Sequence, residues 1–298
     1  TQWLNDRGGI EADLTVTRTG LKSFLVVTAA ATQIRDLDYL RKVITRLNAD
    51  DEVTVLDITS AYATFSVMGP RSREFLESLT PADMSHEAFP FATSRHIDLG
   101  YATVRATRIT FVGELGWELY VPTEFSANVF DTLRDAGTAF DLGYAGYHAL
   151  DSLRMEKAYR HWSHDITPDD TPLEAGLGFA VSFKKPDGFI GKAALEKQKA
   201  EGLTKRLAQF AIADRDAVML HNEPILRNGV MIGETTSAAF GHTLGKDLAF
   251  GYVENHDGLA DDDYVLNAKY QIDIAGTLVD AQVSLEPLYD PTNARIKC

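Results

Sequence analysis

Asp13 is the first residue of this 298-residue sequence whose setting invites chemistry. It lies inside EADLTVTR, an otherwise alternating apolar stretch. A carboxylate facing a cleft there would have its pKa tuned by desolvation and by any cation brought beside it. Such a group can act as a base or stabilise a positive charge. It can equally face water, as alternate positions of a half-buried strand do. Glu118, between Trp117 and Leu119 in VGELGWELYVP, is a second candidate. Its two oxygens could accept parallel hydrogen bonds from a planar edge with adjacent donors, such as a guanidinium or an amino-pyrimidinone ring. The alternative is a cross-strand ion pair with Arg105 or Arg108.

Other polar clusters carry weaker signals. His148, His161, His164 and His242 invite a metal or nucleophile reading, and His161 and His164 stand three apart before Asp165. That spacing fixes no ligand geometry on an irregular segment, and neither H-E-x-x-H nor G-x-S-x-G occurs, so no metal ligand is assigned. Arg154, Glu156, Lys157 and Arg160 could hold an anionic ligand tail or form a solvated helix face.

These residues need a frame. Residues 8–29 read as a hairpin turning at Thr19-Gly20. Ile34, Leu37, Leu40, Val43, Ile44 and Leu47 then recur at helical spacing, and VTVLDIT follows as a strand. The order repeats with the strand GWELYVP and the helix TEFSANVFDTLRDAG, which carries Phe125, Val129, Phe130 and Leu133 on one face. With the antiparallel pair YATVRATRITFV and GWELYVP between them, the two units predict a ferredoxin-like α+β core. A third helix is expected over about 147–160, then an irregular polar segment, HWSHDITPDDTPLEAGLGF, and a short charged helix, GKAALEKQKAEG. From Lys205 the pattern is strands only, which predicts a small antiparallel β-barrel. The boundary is placed near residues 195–205, giving regions 1–195 and 205–298.

Composition narrows the function classes. Lys and Arg total 29 against 43 Asp and Glu, a net charge of −14, so a nucleic-acid backbone or an anionic membrane is disfavoured as partner. No apolar run is long enough for a membrane span, and the single cysteine, Cys298, excludes a disulfide framework. A soluble protein of a reducing compartment is expected, in the cytoplasm or, in a eukaryote, the mitochondrial matrix. The chain starts at Thr1 without Met, which suggests a missing beginning.

RGGIEADLTVTR, VGELGWELYVP, ALDSLRMEKAYRHWSHDITPDDTPLEAGLGF, FIGKAAL, LGKDLAFGYV and EPLYDP occur in the same order as in the aminomethyltransferase (glycine-cleavage T-protein) family, which the whole chain resembles. RMEKAYRHW, HDITPDDTPLEAGL and IEADLTVTR look closer to its flavin-linked branch, the sarcosine and dimethylglycine dehydrogenases and related N-methyl amine oxidases. The resemblance implies an α+β, T-protein-like fold that binds tetrahydrofolate, with a ferredoxin-like lobe and a C-terminal antiparallel β-barrel. It implies that Asp13 is the catalytic carboxylate, that Glu118 holds the pterin edge, and that Thr15, Val26 and Thr28 line the folate pocket. Phe111 stands where many members have a tyrosine packed near the pterin. Leu150 stands where stand-alone members have a folate-holding arginine.

The implied activity is one-carbon transfer from an N-methyl amine to tetrahydrofolate, with FAD carried in a domain outside this chain. By that resemblance the sequence looks like the C-terminal portion of a longer polypeptide, partnered by an FAD-dependent oxidoreductase domain or subunit. A stand-alone aminomethyltransferase, a folate-dependent demethylase and a non-catalytic folate-binding module are the alternatives.

Overall fold

The computed structural model describes residues 1–212 and 218–298. In chain order the strands are β1 (Gln2–Leu4), β2 (Ile10–Asp13), β3 (Thr15–Arg18), β4 (Phe24–Val27), β5 (Tyr62–Met68), β6 (Ser94–Leu99), β7 (Ala102–Thr107) and β8 (Gly116–Pro122). The remaining strands are β9 (Lys205–Ile212), β10 (Pro224–Arg227), β11 (Val230–Gly241), β12 (Lys246–Glu254), β13 (Tyr270–Ile274) and β14 (Thr277–Ser284). The helices are α1 (Gln33–Arg46), α2 (Ser72–Glu77), α3 (Ser126–Gly137), α4 (Tyr147–Glu156), α5 (Lys192–Glu201), α6 (Asp262–Leu266) and α7 (Ala294–Lys297). None is long and apolar enough to cross a membrane. Two compact units result, one of Thr1–Asp36 with Asp151–Tyr289 and one of Leu37–Leu150 with Asp290–Cys298.

In the first unit, β1 and β2 form one antiparallel pair and β3 and β4 another. The single hairpin expected over 8–29 is therefore shorter: β3 and β4 make the hairpin, while β2 turns back onto β1. The rest of the unit is dominated by a closed antiparallel barrel of order β10-β11-β12-β9-β14-β13. Phe210, Ile225, Ala249, Val253, Tyr270 and Ile272 fill it. Its hairpin at Asn228-Gly229 has both residues at positive φ, 51° and 82°, the conformation that matches the twist of the flanking strands and that Asn and Gly adopt most readily.

The second unit contains a four-stranded antiparallel sheet of order β5-β8-β7-β6. Trp117, Leu119 and Val121 of β8 bury one face against Phe75 and Leu76 of α2 and Val129 and Leu133 of α3. This is an α+β lobe, but its first strand is Tyr62–Met68 and not VTVLDIT. Residues 53–58 form no strand ladder, because an alternating segment without a bonded neighbour has no place in a sheet, and β5 occupies the position beside β8. The helical stripes are also narrower than the spacing predicts. Ile34 at the start of α1 and Leu47 just past its end are exposed, as are Phe125 just before α3 and Phe130 within it. α4 stops at Glu156 and not near 160, and Ala158 beyond it takes a left-handed φ of 58°.

Candidate functional site

Asp13 ends β2, whose burial alternates: Ile10 and Ala12 face the core, and Glu11 and Asp13 share the other side. The strand starts where the backbone demands, because Asn5 Oδ1 accepts from the Arg7 and Gly9 amides at 3.0 and 2.9 Å and closes the loop before it. Further on, Ile10 N donates to Asp170 O at 3.0 Å and Trp162 Nε1 donates to Ile10 O at 2.9 Å, so the irregular polar segment clasps β2. Asp13 itself lies opposite Gln2, whose Nε2 donates to Oδ1 at 2.9 Å. It is half-buried, and desolvation pushes its carboxyl above the usual aspartate value. The Gln2 bond, the Thr1 amino group, the Arg160 charge and the Leu14 amide offset part of that. The residue therefore does not occupy the solvated strand position that alternation alone allowed. Glu11 beside it is paired with Arg35, and the Arg35 guanidinium lies 4.6 Å from the Trp162 ring centroid.

The β3–β4 hairpin carries Thr15 and Val26, with Thr28 just beyond β4. Its register pairs Thr15 with Val27 and Val16 with Val26, so Thr15 and Val26 point to opposite faces. Thr28 donates its hydroxyl to the buried Asp36, which also accepts from Thr32 Oγ1 at 2.6 Å and Arg35 Nη1 at 3.2 Å. These residues and Asp13 belong to the first unit.

Glu118 and Phe111 belong to the second unit. Phe111 lies in the connection between β7 and β8. Glu118 stands on the sheet face opposite the helices, flanked in register by Ser66 and Thr107. Its Oε2 accepts from the hydroxyl of Tyr120, two residues on, and Oε1 accepts from no described residue. Neither arginine proposed as a cross-strand partner pairs with it. Arg105 donates to Ser94 Oγ at 3.4 Å and His96 Nε2 at 3.0 Å. Arg108 is fully buried and donates to His86 Nδ1 at 3.1 Å and to the Phe89 and Ile296 carbonyls at 2.9 and 3.3 Å. Tyr120 is 4% exposed, and burial followed by the Glu118 charge pushes its phenol well above the usual tyrosine range, so it remains a donor. Alternation in GWELYVP already places Tyr120 on the Glu118 face. The sequence reading missed it because two residues on one strand face need not touch.

The charged end of α4 is neither a solvated face nor an open anion site. Arg154, Glu156 and Lys157 are buried. Arg154 donates to Asp165 Oδ2 at 2.6 Å and to Ser237 Oγ at 3.0 Å, while Glu156 Oε1 accepts from the Thr243 and Leu244 amides at 2.7 and 2.8 Å. Arg160 donates to the Ala158 and Ala175 carbonyls, at 2.5 and 3.0 Å. These groups tie the polar segment to the barrel. His161 and His164 meet edge to face at 4.7 Å, and burial lowers the His161 pKa, with His164 and Arg154 adding to the shift. Among the described residues no group of three His, Cys, Asp or Glu side chains is placed to share a metal ion.

The acceptors suit a reduced pterin. Among the described residues no cation pairs with Glu118, whose Oε1 is open to an N–H edge, and none forms an ion pair with the half-buried carboxylate of Asp13.

Comparison with known proteins identifies the family. Residues 1–185 match the GCVT N-terminal domain, and residues 205–290 match the glycine cleavage T-protein C-terminal barrel domain. The 4-methylaminobutanoate oxidase (formaldehyde-forming) of Paenarthrobacter nicotinovorans is 42% identical over 297 residues, covering all of this chain and 35% of that protein. Mouse mitochondrial sarcosine dehydrogenase is 38% identical over 312 residues, covering 100% of this chain and 34% of its own length. The chain thus spans about a third of these relatives. The crystal structure of the glycine cleavage system aminomethyltransferase T from Bartonella henselae matches with a TM-score of 0.80 at 23% identity, over 97% of this chain and 75% of that one, and it has the same fold. Two domain matches that together take in the β2 carboxylate, the Glu118 strand and the closed barrel place this chain in the glycine cleavage T-protein family.

Proposed function

We propose that this chain transfers a one-carbon unit from an N-methyl amine to tetrahydrofolate, within a larger FAD-dependent N-demethylating oxidoreductase of the sarcosine or dimethylglycine type. Residues 1–195 would form the folate-binding aminomethyltransferase-like region and 205–298 the accessory barrel. FAD, held outside this chain in such a protein, would supply the two-electron oxidation that turns the N-methyl amine into an iminium, R₂N⁺=CH₂. Tetrahydrofolate, when bound, would supply two N–H amines: both nitrogens bond to the methylene, its bond to the substrate nitrogen breaks, and the demethylated amine leaves as R₂NH₂⁺ with the two protons, giving 5,10-methylene-tetrahydrofolate. Water in its place would release formaldehyde, the product that the Paenarthrobacter oxidase is named for forming.

Asp13 carries this reading. A half-buried carboxylate raised above its ordinary pKa can stabilise the iminium cation and accept the amine proton, joining electrostatic and general-base roles. Gln2 holds its Oδ1 in place. Glu118 would accept from the pterin edge and orient it, a proximity contribution. Phe111 would pack near the pterin, and Val26 and Thr28 would line the folate, Thr28 through its methyl group because its hydroxyl is committed to Asp36; Thr15, on the opposite face of the hairpin, falls outside that lining.

The test is Asp13→Ala in the intact protein. We expect tetrahydrofolate binding to persist and methylene-tetrahydrofolate formation to fall by about two orders of magnitude or more, with formaldehyde released instead. Unchanged methylene transfer would remove Asp13 from the mechanism.

A further inference from the structure

Glu118 is a useful pterin acceptor only if its carboxylate is held in one orientation, and β8 contains the means. Glu118 and Tyr120 are two residues apart on a strand, so both project from the face opposite Trp117, Leu119 and Val121. The Tyr120 ring is buried and its hydroxyl donates to Glu118 Oε2. The neighbours of Tyr120 in register are Thr64 on β5 and Arg105 on β7, and Arg105 is occupied by Ser94 and His96. The phenol proton is thus committed to Glu118. Ser66 and Thr107, the neighbours of Glu118 itself, bring no competing cation.

We propose that Tyr120 is a positioning residue: by donating to Oε2 it fixes the Glu118 rotamer and presents Oε1 to the N–H donors of a bound pterin. The inference rests on the assignment of Glu118 to the pterin edge. A carboxylate swinging freely must be immobilised by its ligand on each binding event, whereas one already held by a neutral donor keeps its negative charge and loses little freedom. Tyr120 makes no contact with the ligand in this arrangement. Its effect appears only through the donors that Glu118 accepts from.

The experiment compares tetrahydrofolate with an analogue whose 2-amino group is replaced by methyl, using titration calorimetry on the intact protein. Tyr120→Phe keeps the buried ring and removes the hydroxyl. It should weaken tetrahydrofolate binding about tenfold, in the range of one hydrogen bond to a charged group, and change binding of the analogue less than about twofold. In the Glu118→Gln background, Tyr120→Phe should have no further effect, because the two residues act as a unit. Equal weakening for both ligands would mark Tyr120 as a general packing residue and overturn the proposal. So would normal tetrahydrofolate affinity in Tyr120→Phe while Glu118→Gln still loses it; in that case the pterin role of Glu118 would stand. Normal affinity in Glu118→Gln would overturn both. If Tyr120→Phe does not fold, Tyr120→Leu supports the same comparison of ligands.

Discussion

Arg154 Nη1 and Asp165 Oδ2 are 2.6 Å apart, the arginine 4% exposed and the aspartate fully buried. Asp165 also accepts from the His161 amide at 2.8 Å and from Thr236 Oγ1 at 2.6 Å, and Tyr252 Oη donates to its carbonyl at 3.0 Å. Removing one member strands the other charge in a desolvated site. We predict that Arg154→Met destabilises the protein by about 3–5 kcal/mol, because a broken buried pair costs more than an absent one. Urea denaturation measures it, and the double variant Arg154→Met/Asp165→Leu should recover much of the loss. A single-variant cost below about 1 kcal/mol would contradict the account.

The pKa of Asp13 predicts a stability effect of unusual sign. Burial raises the folded-state value above 3.8, the ordinary value expected in the unfolded chain. Between the two values the folded state binds more protons than the unfolded state, so stability falls as pH rises through that interval and stays lower above it. Asp13→Asn cannot ionise. It should therefore be more stable than the parent at pH about 7 and lose that advantage below about pH 4. Denaturation midpoints at the two pH values decide, and a parent more stable at neutral pH would refute the prediction.

Glu118 has no arginine partner among the described residues, and in Glu118→Gln the amide oxygen can still accept from the Tyr120 hydroxyl, so the melting temperature should stay nearly unchanged. A pterin edge left facing an amide would lose about 2–4 kcal/mol, roughly 30- to 1000-fold in tetrahydrofolate affinity. Calorimetric titration of Glu118→Gln beside a thermal melt reads both quantities. A lower melting temperature with intact affinity would mean a structural carboxylate.

Asp36 gathers Thr28, Thr32 and Arg35 at the start of α1. Asp36→Ala removes the acceptor these three donors share, leaving Thr32 Oγ1 its bond to the Ala29 carbonyl and Arg35 its pair with Glu11, and we expect a loss of about 1–3 kcal/mol. Thr28→Val, which removes only one of them, should cost less. Equal costs for the two variants in denaturant titrations would show that the cluster is not the source.

Gly9 admits no side chain, because a Cβ there would lie 1.8 Å from the Pro168 carbonyl oxygen. The neighbour is backbone and cannot rotate away. Gly9→Ala should cost about 1–3 kcal/mol through forced backbone shifts, with the denaturation midpoint as its measure.

Much of this molecule is legible in its amino-acid order. The short apolar run RLAQFAI and the alternation of TLVDAQVS, with Asn-Gly between short apolar runs, imply an antiparallel barrel, since strand patterning and positive-φ turns are local properties. The α1 and α3 stripes, the charged helix α5 and the two carboxylates on alternating strands are local in the same sense. Pairing is not. VTVLDIT has a strand's alternation yet pairs with no strand among the described residues, and only the assembled sheet determines that Tyr62–Met68 takes the place beside β8. Local pattern also could not show that Arg154 and Glu156 are interior. Their partners, Asp165, Ser237, Thr243 and Leu244, lie up to 88 residues away, and burial of a charge depends on whether distant acceptors and donors arrive to satisfy it. The same holds at the carboxylates. Sequence placed Asp13 and Glu118 on strands, but the Gln2 amide on one and the absence of an arginine on the other follow from strand register, which only the tertiary structure sets.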